Sequence, residues 1–151
     1  MNVLFVCEEN CPLSLMARAI LTSVGAPRFR AFSAGACAAH PDVLDFLAGY
    51  DLPVADLRGR PLQDFRRPDA PHMDFIITLC EAARHELADW PGDPFVAHWN
   101  IRADDAGTEE SHRDQFWTLM RRIKIFTSLP HGEINKRILH RRAVTLQPSY
   151  L

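Results

Sequence analysis

The sequence predicts an α/β protein: three layers, with a four-stranded parallel sheet flanked by helices. Three observations point there. Short apolar runs alternate with segments of helical period, which is the pattern of a parallel sheet covered on both faces. The first run, VLFV at residues 3–6, is continuously apolar, as a strand buried on both sides requires. Polar residues follow the ends of three runs, where open parallel sheets place their binding sites.

The elements follow in order. After VLFV comes a polar loop, and then Leu13, Met16, Ala17, Ile20, Leu21 and Val24 recur at helical spacing until Gly25 stops the helix. RFRAFSAG, residues 28–35, reads as the second strand, ending in a small-residue turn. HPDVLDFLAGYD, residues 40–51, reads as a helix with Pro41 and Asp42 suited to its first turn. Residues 52–71 are rich in Pro and Arg and predict a loop with a short helical turn near residues 62–65. DFIITL, residues 74–79, is the third strand, and Cys80 follows it. EAARHEL, residues 81–87, is a short helix, and PFVAHWNI, residues 94–101, the fourth strand. The strongest helix spans residues 107–129, capped by Thr108, with Phe116, Leu119, Met120, Ile123 and Phe126 as its apolar stripe.

A length of 151 residues with 47% hydrophobic and 24% charged content fits a single globular domain over residues 1–151. A formal net charge of −2 opposes general nucleic-acid or other polyanion binding. Of the four cysteines, at 7, 11, 37 and 80, only Cys7 and Cys11 are close, which is not the paired spacing of a zinc site. No metal and no cofactor are expected. No run reaches the ~18–20 apolar residues of a membrane span, and the first apolar stretch lacks the features of a signal peptide. The expected location is the cytoplasm, where thiols stay reduced.

Cys7 lies between a strand and a helix. Free backbone N–H groups and the helix dipole favour its thiolate there, and the same groups cradle a tetrahedral oxyanion. The competing reading is a small buried hydrophobe at a strand end. Against the anion stand Glu8 and Glu9, with no Lys or Arg between residues 7 and 14. A like charge about 4 Å away costs on the order of 1 kcal/mol in water and up to ~4 at an effective dielectric of 20. It would also oppose ionisation of the thiol. Turned outward into solvent, the carboxylates are screened.

The opening VLFVCEENCPLSLMARAIL resembles the low-molecular-weight tyrosine phosphatase superfamily, which includes thioredoxin-coupled arsenate reductases. The family signature is Cys, five residues, Arg, then Ser or Thr, with Asn inside the loop; Cys7, Asn10 and Ser14 match. The resemblance continues through FSAG, ITLC, PGDP, HWNI and GTEE, and the last features are closer to the reductase branch. It implies an anion-binding loop of Glu8, Glu9, Asn10, Cys11, Pro12, Leu13 and Ser14, with Cys7 as nucleophile. The second reductase cysteine falls on Cys80; the third falls near Leu87 and is absent. The family's general acid falls on Asp104 or Asp105, with Asp104 favoured, although the proline that follows it in the family is missing.

Leu13 occupies the position of the family Arg, whose fork holds the oxyanion through two charge-assisted hydrogen bonds. At ~1.5–3 kcal/mol each, their loss is worth roughly 3–6 kcal/mol, or about 10²–10⁴-fold in rate. Arg102, and less readily Arg18, are the candidate cations to stand in for it. Cys11 and Cys37 read as inert small residues, Trp90 and Trp99 as packing residues, and the basic stretch at residues 135–144 as a solvated face. Three functions follow. One is phosphate-monoester hydrolysis or arsenate reduction through Cys7, acting on a small oxyanion with thioredoxin as partner. Another is a non-catalytic member that binds or regulates a protein partner. The third is a dithiol redox protein pairing Cys7 with Cys80 or Cys11.

Overall fold

Each apolar run becomes a parallel strand. The computed structural model describes residues 1–8, 12–35, 41–55, 57–87, 90–101 and 109–130, with side chains from residue 112 in the last segment. Strands β1 (Asn2–Val6), β2 (Arg30–Ala34), β3 (Phe75–Thr78) and β4 (Phe95–His98) form one sheet in the order β2-β1-β3-β4. All three pairings are parallel, with Val6 opposite Ala34 on one side and Thr78 on the other. The helices are α1 (Leu13–Gly25), α2 (Pro41–Ala48), α3 (Glu81–Arg84) and α4 (Glu109–Ser128), with a 3-10 turn at Leu62–Phe65.

Alternation along β1 divides the core. Val3 and Phe5 face the layer built from α1, α2 and α4, where Met16, Ile20, Leu47, Phe116, Leu119, Ile123 and Phe126 are buried. Leu4 and Val6 face the other layer, built from Leu62 and Phe65 of the 3-10 turn, Met73, and Ala83 of α3. The sheet is therefore covered on both faces, as its continuously apolar strands require. Arg28 ties the long-helix layer together by donating to the Thr127 and Leu129 carbonyls at 3.1 and 3.0 Å, at the end of α4. A cation there meets carbonyls that a helix terminus leaves without intrahelical partners.

The elements depart from expectation at their ends. Val24, assigned to the apolar stripe of α1, lies in the last turn and keeps 37% of its surface exposed, while Leu15 and Ala19 are buried. The α3 helix stops at Arg84 rather than running to residue 87. His85 and Glu86 donate to the carbonyls three residues back, so the chain tightens out of the α-helix. Thr108, the expected cap of α4, lies outside the described residues.

Candidate active site

The chain runs from β1 outward to β2, then returns to β3 on the opposite side of β1 and continues to β4. The strand order thus reverses between β1 and β3, and a crevice opens at the carboxyl ends of strands at such a point. Cys7 and Cys80 follow these two strands. The backbone holds their positions: Cys7 N–H donates to Ala34 O at 3.1 Å, and Leu79 N–H to Val6 O at 2.9 Å. On the far side, Trp99 N–H donates to Thr78 O and Ile101 N–H to Leu79 O, so the segment after β4 joins the same rim.

Cys7 is 3% exposed. Its Sγ lies 2.9 Å from Ser14 Oγ, in the first turn of α1, and 3.4 Å from the Glu8 carbonyl oxygen. Ser14 is itself fully buried, so its hydroxyl is directed at the sulfur and not at solvent. It accepts from the thiol and can donate to a thiolate. Cys80 is half-buried, and both cysteines are free thiols. Burial pushes the Cys80 thiol up; main-chain hydrogen bonds from Ala83 and Glu8 pull it back in part, while the Cys7 sulfur and the Glu8 carboxylate push it further up. The Glu8 carbonyl lies against Cys7, and the parallel pairing of β1 with β3 sets Cys80 on the same rim of the sheet.

Gly35 closes the back of the site. Its φ is +110°, and a Cβ added there would lie 1.8 Å from the Cys7 carbonyl oxygen. Only glycine fits a backbone that turns this way and approaches this closely. The small-residue turn after the second strand was visible in the sequence, but the approach to Cys7 depends on the packing of β1 against β2.

A family model for the low molecular weight phosphotyrosine protein phosphatases matches residues 2–98. The chain belongs to this family. Curated protein sequences yield no match. Solved structures do. An arsenate reductase in the phosphate binding state is 21% identical with a TM-score of 0.71, over 84% of this chain and 96% of that one. An arsenate reductase from Archaeoglobus fulgidus is 27% identical with a TM-score of 0.67, over 84% of this chain and 99% of that one. A thioredoxin-dependent arsenate reductase of Corynebacterium glutamicum is 24% identical with a TM-score of 0.65, over 92% of this chain and 62% of that longer one. The fold expected from sequence is thus that of the low-molecular-weight phosphatases and arsenate reductases, and the chain is phosphatase- and arsenate reductase-like.

Within the family loop, the described residues are Cys7, Glu8, Pro12, Leu13 and Ser14. Glu8 is exposed, and Pro12 precedes α1, its carbonyl accepting from Met16 N–H at 3.1 Å. Leu13 is 0% exposed and packs in the long-helix core with Cys7. Glu9, Asn10 and Cys11 lie outside the described residues, as do Arg102, Asp104 and Asp105. Arg18 donates to the Arg58 carbonyl at 3.3 Å, beside β2. Trp99 is buried and Trp90 half-buried under the Arg66 guanidinium, 4.8 Å from the ring centre, in keeping with packing roles. No helix among the described residues is long and apolar enough to cross a membrane.

Proposed function

We propose that this chain is a thiol enzyme of the arsenate-reductase kind, with Cys7 as nucleophile, Cys80 as resolving thiol and a weakened grip on the oxyanion. The observation that carries the reading is that Cys7 and Cys80 follow the adjacent, paired strands β1 and β3 at the strand-order reversal. The Cys7 thiolate, held by Ser14 Oγ, attacks arsenic and displaces water from protonated arsenate. Asp104 is the residue to supply the proton. Cys80 sulfur then attacks Cys7 Sγ; the S–As bond breaks, and its electron pair stays on arsenic, which leaves as arsenite. The two thiols lose two electrons and become one disulfide, while the Cys80 proton passes to the departing oxyanion. Because Cys80 is the more exposed sulfur, an external dithiol protein of the thioredoxin type attacks there and expels Cys7. A reducing cytoplasm is the setting in which such a couple turns over.

The test is arsenate reduction coupled to thioredoxin, run with wild type, C7S and C80S. The expected result is turnover about 10²–10⁴-fold below that of a relative carrying the guanidinium. Both variants should abolish turnover. No Cys7-dependent reaction would overturn the proposal.

A second reading is favoured by one observation, the complete burial of Leu13. It is a member of the family that keeps the fold and binds a protein partner without chemistry. In that case phosphate, arsenate and an aryl phosphate all fail as substrates or ligands, in wild type and in L13R alike.

A further inference from the structure

Away from Cys7, along the outer edge of β2, lies a cavity of about 590 Å³. Five arginines line it: Arg18 from α1, Arg30 from β2, Arg58 and Arg60 from the segment before the 3-10 turn, and Arg67 from the segment after it. Two carboxylates, Asp64 and Asp69, share the lining, which leaves an excess of three positive charges. Arg67 is paired with Asp64 at 3.4 Å. Arg30, Arg58 and Arg60 make no ion pair among the described residues. Arg30 instead stands over the Phe32 ring, 5.1 Å from its centre.

A second, independent feature marks the same cavity. Ser33 lines it from β2, is 2% exposed, and its Oγ has no hydrogen-bond partner among the described residues. A buried hydroxyl left unpaired is costly, and a ligand oxygen would satisfy it.

We propose that this cavity binds a small anion bearing two linked phosphate groups. Charge sets the number of phosphates. One phosphate carries at most about two negative charges, fewer than the excess of three, whereas two linked phosphates match it. Guanidinium is the cation suited to such a group, because its fork meets two oxygens at once. Size fits as well, since small-ligand sites run to ~300–1,000 Å³. The arginines come from four segments and converge on one concavity, which suits a compact anion better than an extended acidic chain. With a whole-chain charge of −2, the excess of three in this cavity is opposite in sign to the chain as a whole.

Calorimetric titration of the full chain with inorganic pyrophosphate at low salt tests this, beside orthophosphate and a poly-glutamate peptide. The expected result is pyrophosphate binding about tenfold or more tighter than orthophosphate, weakened by salt. It should weaken about tenfold or more in R58Q/R60Q, whose side chains are exposed, and severalfold in S33A. It should be unchanged in C7S, which separates this site from the thiol loop. R30Q carries the same test should the double variant melt early. Pyrophosphate binding that is absent, or unchanged in R58Q/R60Q and S33A, overturns the proposal. So does binding lost in C7S, which would put the anion at Cys7, and so does tighter binding of poly-glutamate.

Discussion

In the proposed thiol chemistry Leu13 limits what Cys7 can do, because it stands where the resembled signature carries an Arg. Its side chain is fully buried in the core cluster that also holds Cys7, so L13R must carry a charged group out through apolar volume. Overpacking of this kind costs ~1–3 kcal/mol, while the restored fork is worth roughly 3–6 kcal/mol in the transition state. Hydrolysis of an aryl phosphate by L13R should therefore rise at least ~10-fold over wild type, dependent on Cys7, while the urea midpoint falls. A folded L13R with no Cys7-dependent gain would favour the non-catalytic reading. His98 offers a prediction of another kind. Burial pushes its pKa down from 6.5, with Arg84 adding and Glu81 opposing, and Thr78 Oγ1 lies 2.5 Å from Nδ1. The neutral ring is the one the fold favours. Its stabilising contribution is complete above the unfolded pKa and lost as the pH falls below it, because the unfolded state then binds the extra proton. Thermal melts between pH 8 and pH 5 should show wild type losing more stability than H98Q. Equal losses would mean that His98 is not the titrating group.

The turn after β2 and the end of α4 matter because each holds a neighbouring element in place. At Gly35, a Cβ would meet the Cys7 carbonyl at 1.8 Å, and φ is +110°. G35A should destabilise by more than the ~1–2 kcal/mol of a left-handed residue alone, and thiol-alkylation rates at Cys7 should change because its strand end has moved. A variant with wild-type stability and reactivity would show that the approach is not tight. At the end of α4, Arg28 donates to two carbonyls. R28A should lower stability by roughly 1–3 kcal/mol in urea titration, less than two buried bonds because the group is partly exposed. Local signals were legible in the sequence. The bounds of α1 follow from its apolar period and Gly25, and the 3-10 turn at Leu62–Phe65 from its Pro-rich surroundings. Tertiary constraints were not. The early end of α3 is set by two short-range bonds after Arg84, and the close approach at Gly35 by the Cys7 carbonyl just past the end of β1.

Among the described residues the fold gathers chemistry-bearing side chains at the Cys7 rim and at the arginine cavity, and the sequence announces only the first. The rim rule for parallel sheets and the resemblance of the loop both placed Cys7 and Cys80 together, and the order β2-β1-β3-β4 sets them at the point of reversal. The arginines at 18, 30, 58, 60 and 67 share no motif or period. They meet only because α1 and the 57–71 segment both border β2. The central claim, that Cys7 and Cys80 work as a pair, is tested most directly by peptide mapping after the reduced protein reacts with arsenate in the absence of thioredoxin. One disulfide, between Cys7 and Cys80, with Cys11 and Cys37 still alkylatable, is the result the pairing predicts. A Cys7–Cys11 disulfide, or four free thiols after prolonged reaction, would contradict it.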